Sequence, residues 1–195
     1  VEFLIAMNRT KSPEVMELRT NVVLGLHEAN LVCGIAFAGP EANYPVKPHH
    51  KLFARLHEAG VGIEIHAGEW VGPESVWDAL EYGFPDRIGH GTSLFKEQRL
   101  IDLFLEKQIH LEICPTSNLK TGSIDRIENH PIRLARDLGL NFSISTDDPG
   151  PFECSMNDEY ELVANTFGFT EDDFKKIYQN SLAARFQKNL RFTSQ

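Results

Sequence analysis

The chain has 195 residues, 42% of them hydrophobic and 24% charged, which is enough to bury a substantial core and too apolar for disorder. Its formal charge of −9, with no cluster of Lys and Arg, argues against a nucleic acid polymer as partner, because a phosphate backbone is held by concentrated positive surface. The three cysteines, Cys33, Cys114 and Cys154, are far apart and give neither a disulfide framework nor a metal knuckle. They suit a reducing compartment. No apolar stretch approaches the roughly 20 residues a membrane span needs, so the expected location is cytoplasmic, away from membranes.

Short runs of branched apolar residues alternate with longer segments of helical period, the pattern of parallel βα units. The first strand is expected over residues 1–7. A helix over 13–30 follows, opened by Ser12 as cap with Pro13 at its first position. Further strands are expected at 32–38, 62–66, 87–90, 110–114 and 141–146, with helices over 73–82 and 96–107 between them. The stretch 157–186 reads as two more helices, the second entered through Thr170 with carboxylates at 171–173, where they favour the helix dipole. No linker interrupts the run, so one domain over 1–195 is expected.

Polar residues fall unevenly on this scaffold. Nearly every expected strand ends in groups that a plain turn does not require: Asn8 and Arg9, Gly39, His66 with Glu69, His90, the run Thr116, Ser117, Asn118, and the pair Asp147 and Asp148. Parallel barrels place their chemistry at the C-terminal ends of their strands. A doubly wound sheet does the same, but Gly89-His90-Gly91 is only a fragment of GxGxxG, and no GxxxxGK[ST] is present.

His66 and Asp147, closing different strands, can point into one mouth and share a metal, since imidazole nitrogen and carboxylate oxygen both bind zinc. A lone strand-end His is otherwise a hydrogen-bonded core group. Glu69, three residues after His66, is placed to act as acid or base beside a metal; alternatively it merely opens a helix. His90 stands between two glycines that let the backbone turn sharply, presenting a second group that titrates near neutrality or simply capping its strand. Two adjacent carboxylates, Asp147 and Asp148, repel unless a cation or donor relieves them, although Asp-Asp-Pro-Gly is also a good turn sequence. Cys114 has no partner His in a nucleophilic arrangement and reads as structural.

His-Ala-Gly-Glu at 66–69, Arg-Ile-Gly-His-Gly at 87–91, Cys-Pro-Thr-Ser-Asn at 114–118 and Ser-Thr-Asp-Asp-Pro at 145–149 closely resemble the adenosine deaminase family of the amidohydrolase superfamily, in order and spacing. The resemblance runs almost to the end of the chain. It implies an α/β fold, a TIM (β/α)8 barrel of which six of eight strands are present and the N-terminal strands are missing. It implies a zinc ion, Zn2+, one per complete site, with His66 and Asp147 as ligands. By the same resemblance Glu69 protonates the purine ring, His90 orients the attacking hydroxide, Asp148 hydrogen-bonds the imidazole side of the purine, and the Gly39 backbone meets the far ring nitrogen. The implied reaction is hydrolytic deamination of adenosine to inosine and ammonia, with adenine, aminodeoxyfutalosine and N6-methyl-AMP as alternatives because relatives share the catalytic set. Ala36 and Pro40 replace aspartates common in adenosine deaminases.

Two further readings stand beside this one: a metal-dependent hydrolase of a ring amide or ester, and a ligand-binding relative or fragment without catalysis. No two of the eight histidines are separated by a single residue, so the His-x-His pair that the family carries on its first strand is absent. The chain is therefore expected to be inactive alone and to need the N-terminal segment of the same barrel as its partner, besides a small purine nucleoside.

Overall fold

Six strands form one parallel sheet whose spatial order is the chain order: β1 (Leu4–Asn8), β2 (Gly34–Ala38), β3 (Gly62–Ala67), β4 (Arg87–His90), β5 (His110–Ile113) and β6 (Phe142–Ile144). The computed structural model describes residues 2–186; the expected strand start at residue 1 and the expected domain end at 187–195 lie outside the described residues. A doubly wound sheet reverses its order at a switch point, whereas a barrel adds each βα unit beside the previous one. The unbroken order is of the barrel kind. Among the described residues, β1 and β6 are the two edges and do not pair.

Register assigns a job to each face. Met7, Phe37, Ile65, Ile88, Leu111 and Phe142 stand in one row across all six strands, and every one of them is buried. Side chains alternate across a strand, so the neighbouring rows face the other way. One holds Ala6, Ala36, Glu64 and Arg87; another holds His66, Gly89, Glu112 and Ser143. Parallel strands covered on both faces ordinarily read as unbroken apolar runs. Here one face is apolar and packs on helices, while the other is small or charged and borders a cavity.

The helices are α1 (Pro13–Glu28), α2 (His50–Glu58), α3 (Pro73–Tyr82), α4 (Gln98–Lys107), α5 (Pro115–Lys120), α6 (Ile132–Leu138), α7 (Pro149–Phe152), α8 (Met156–Phe167) and α9 (Glu171–Ala183). Ser12 caps α1 through Val15 N, with Pro13 in the first turn, as the sequence leads one to expect. Thr170 opens α9 through a full capping box with Asp173, and Ser155 opens α8 in the same way with Asp158. The helix expected from residue 96 starts at Gln98, because Glu97 is extended and separates it from the 3-10 turn Leu94–Lys96. Helices α2, α5, α6 and α7 have no counterpart in the sequence reading. The strand expected to reach residue 114 ends at Ile113, and Thr116, Ser117 and Asn118 lie on α5 rather than at a strand end.

At the opposite end of the sheet from the polar loops, the ring of Phe186 fills the space left by two glycines. A Cβ on Gly34 would come within 2.8 Å of that ring, and one on Gly62 within 2.2 Å. The guanidinium of Arg87 stacks over the same ring at 3.8 Å. No described helix is long and apolar enough to cross a membrane.

Candidate active site

The chain leaves β3 through a turn built for one outcome. Gly68 has φ +72, and a Cβ there would meet Val76 at 2.6 Å and Ser93 at 2.7 Å. The carboxylate of Glu41 clasps the turn: Oε1 accepts the N–H of Glu69 at 2.8 Å and of Trp70 at 3.2 Å, while Oε2 accepts Gly68 N–H at 3.0 Å and Ser75 Oγ at 2.5 Å. This fixes where Glu69 stands. At the end of β4, His90 itself takes φ +64, a left-handed conformation uncommon outside glycine and concentrated at functional sites. Asp147, just past β6, does so too at φ +57. Gly89 has a packing reason to lack a side chain, since a Cβ there would lie 2.8 Å from Cδ2 of His66.

Three donor atoms converge above the sheet. One ligand atom each from His66, Glu69 and His90 lies within 4.8 Å of the others, the one such group of three among the described residues. His90 Nε2 is 3.1 Å from His66 Nδ1 and 3.6 Å from Glu69 Oε2. Asn118 Nδ2 donates to His90 Nδ1 at 3.1 Å and to Glu69 Oε1 at 3.5 Å, and Thr121 Oγ1 donates to the same Glu69 oxygen at 3.1 Å.

Burial sets different protonation for each. It holds the His90 imidazole well below the usual histidine range, with the neighbouring His66 and His130 acting in the same direction, so His90 is neutral. Burial raises the Glu69 carboxyl, against the opposing hydrogen bonds from Trp70 and Thr121. For His66 burial opposes the proton, but the hydrogen bond and charge of Glu64, aided by Asp147 and Glu69, win and raise it. A low-dielectric pocket that pushes several groups from their ordinary values is the electrostatic mark of a functional site.

Beneath His66 lies a buried charge network. Glu64 Oε1 is 3.6 Å from His66 Nε2, Arg87 Nη2 is 3.2 Å from Glu64 Oε2, and Arg87 Nε pairs with Glu112 at 3.3 Å. Burial, then the charge of Glu64, pushes Glu112 well above the carboxylate range. Two carboxyls thus share one arginine.

The cavity over this floor measures about 820 Å³, within the range of small-molecule sites. His66, Glu69, His90, Asp147, Asp148 and Gly39 all line it. Asp147 and Asp148 are exposed at its rim; Ser117 donates to Asp147 Oδ2 at 2.6 Å. Gly39 sits on the wall with φ +102. Arg9 behaves otherwise: it is buried, stacks on Phe37, and donates to the carbonyls of His66, Phe37 and Tyr44, tying strand ends together. Cys114 is buried and its thiol is pushed up by burial, in keeping with a structural role. Sequence reasoning gave no site role to the Glu41 clasp, Asn118, Thr121, His130 or the Glu64–Arg87–Glu112 network. Buried charges on alternate positions of apolar strands were the available signal for the last of these.

The family model for adenosine deaminase matches residues 1–191. The chain belongs to the adenosine deaminase family. Among its relatives, the adenine deaminase of Rhizobium rhizogenes is 38% identical over 156 residues, 80% of this chain and 48% of that protein. The adenosine deaminase of Clostridium acetobutylicum is 34% identical over 155 residues, 80% of this chain and 46% of that protein. The chain spans about half the length of the curated relatives it matches. The crystal structure of an adenine deaminase from Arthrobacter aurescens superposes with a TM-score of 0.88 at 25% identity, covering 97% of this chain and 57% of that one. The six βα units are thus a partial TIM barrel of the deaminase kind.

Proposed function

We propose that the protein carrying this chain is a zinc-dependent hydrolytic deaminase of a 6-aminopurine, with adenosine, converted to inosine and ammonia, as first substrate. Adenine, aminodeoxyfutalosine and N6-methyl-AMP are the alternatives on the same scaffold. The observation that carries the reading is the convergence of His66, Glu69 and His90 within 4.8 Å of one another in the lining of a cavity of about 820 Å³. Family membership and relatives named for both adenosine and adenine deamination support it.

Two imidazoles and several carboxylates around one cavity are a donor set that fits zinc. His66 and Asp147 would hold the ion, with further ligands from the remaining strands of the barrel. Six strands among the described residues where the fold takes eight, and no His-x-His among the eight histidines, support a requirement for ligands beyond those of this chain. Zinc bound there would lower the pKa of water from about 15.7 to about 7, so that hydroxide is available at neutral pH.

This chain's own residues supply the rest. Glu69, its carboxyl pushed up by burial, is the group that gives a proton to the purine ring nitrogen beside carbon 6, which makes that carbon electrophilic. Neutral His90 orients the attacking oxygen. Asp148 hydrogen-bonds the imidazole side of the purine, and the backbone at Gly39 meets the far ring nitrogen. Trp70, Phe152 and Met156 give the base apolar walls. The test is ammonia release by the full-length protein from a panel of adenosine, adenine, aminodeoxyfutalosine and N6-methyl-AMP. Silence on every 6-aminopurine would sink the proposal.

A further inference from the structure

His90 is held from behind by a hydrogen-bond chain that the deaminase reading does not use. The chain starts at His130, which is 3% exposed and whose pKa is driven down to about 4 by burial. His130 Nδ1 accepts the N–H of Ile132 at 3.1 Å, at the start of α6. A neutral imidazole with its lone pair on Nδ1 carries its hydrogen on Nε2. That nitrogen lies 3.2 Å from Oδ1 of Asn118.

Asn118 is thereby oriented, with its oxygen toward His130 and its Nδ2 hydrogens toward His90 Nδ1 and Glu69 Oε1. The Glu69 end agrees, because its Oε1 accepts from Thr121 Oγ1 as well, and a carboxyl oxygen that bears no hydrogen can only accept. Asn118 has no freedom to turn: it is fully buried, its N–H reaches Cys114 O at 2.9 Å, and its carbonyl accepts from Ile124 N at 3.0 Å and Ser123 Oγ at 3.2 Å. With Nδ1 accepting from this amide, His90 carries its hydrogen on Nε2, the nitrogen that faces His66 and Glu69.

We propose that Asn118 and His130 are positioning residues that lock His90 as its Nε2–H tautomer, so that a donor rather than a lone pair faces the reacting atoms. Resting on the deaminase reading, this assigns His90 a narrower task. It holds the attacking oxygen by donating to a lone pair, and it takes no proton from water. The backbone N–H of one residue at the start of α6 thus sets, through two side chains, which imidazole nitrogen is protonated in the site.

The test is nitrogen-15 imidazole spectroscopy on the full-length protein, metal-free and zinc-loaded, with His90 and His130 assigned by signal loss in His90→Gln and His130→Gln. Both rings are expected protonated at Nε2 and bare at Nδ1. A His90 ring protonated at Nδ1 in the wild-type protein overturns the proposal, and this needs no variant that must fold. Asn118→Asp puts an acceptor against Nδ1; it is expected to move the His90 hydrogen to Nδ1 and to lower kcat at least about tenfold with KM and zinc content little changed. A moved hydrogen with unchanged kcat overturns the catalytic consequence. Nε2–H at His90 in a protein that releases no ammonia supports the lock while the deaminase reading fails; ammonia release with Nδ1–H at His90 leaves the deaminase reading standing and refutes the lock.

Discussion

Removing the Glu41 carboxylate tests whether the turn that carries Glu69 is held from outside the proposed catalytic set. Its four accepted hydrogen bonds divide between two oxygens. In Glu41→Ala, Gly68 N–H keeps a partner, because Ser75 Oγ also accepts it at 2.7 Å. The uncompensated loss is the pair on Oε1, from Glu69 and Trp70. Two bonds to a charged acceptor at about 1.5–3 kcal/mol each give a destabilisation of about 3–6 kcal/mol, a large part of a typical folding free energy. In Glu41→Gln the amide oxygen can keep both of those N–H groups while its nitrogen donates to Ser75 Oγ, so the cost is about 1–2 kcal/mol. Urea unfolding of the full-length protein followed by circular dichroism should place glutamine between wild type and alanine. Turnover in Glu41→Ala should fall further than the unfolded fraction explains, since Glu69 is the residue released. An alanine variant within about 0.5 kcal/mol of wild type, the range of an ordinary surface substitution, would refute the argument.

Glu69→Gln should lower turnover at least about a hundredfold while zinc content stays near normal, as general acid catalysis is worth 10² or more; His66→Ala or Asp147→Ala should lower bound zinc as well, and metal analysis of the purified variants separates the two outcomes. Gly89→Ala should weaken zinc binding without unfolding the protein, because its Cβ would displace the His66 ring from 2.8 Å contact; unchanged affinity in a zinc titration would count against the packing reason for that glycine. Burial holds His110 and His130 at about 4, below the ordinary 6.5, so on acidification the unfolded chain binds protons first. Stability should be whole above about pH 6.5 and fall by up to about 3 kcal/mol per histidine as the pH approaches 4; His110→Gln should flatten that slope, and an unaltered slope would contradict the assignment.

The strands were legible because their apolar rows are long in β-branched residues and end in residues no turn demands; observed ends differ from expectation by a few residues. The four unexpected helices had weak outward signals. Helices α2 and α6 lack a side-chain cap, α7 spans only four residues, and α5 begins directly after β5, so its Thr, Ser and Asn read as the polar end of a strand. Of the site, His66, Glu69, His90, Asp147, Asp148 and Gly39 could be named from motifs and do line one cavity. Glu41 and His130 could not be given their tasks from spacing. Each acts over a separation that only the fold closes: Glu41 lies 28 residues from Glu69, and His130 acts through Asn118.

Phe186 shows how far the site extends below its cavity. Its ring stacks on Arg87, Arg87 pairs with Glu64, and Glu64 stands under His66. These four side chains form a single column from the N-terminal end of the sheet to the cavity at its other end. Gly34 and Gly62 leave the hollow in which that column is seated. Neither glycine lines the cavity, yet a methyl group on either would lift the foot of the column and tilt its head. The aromatic residue after α9 therefore acts as a keel for His66, and the alignment of the cavity is set as much from beneath as from within.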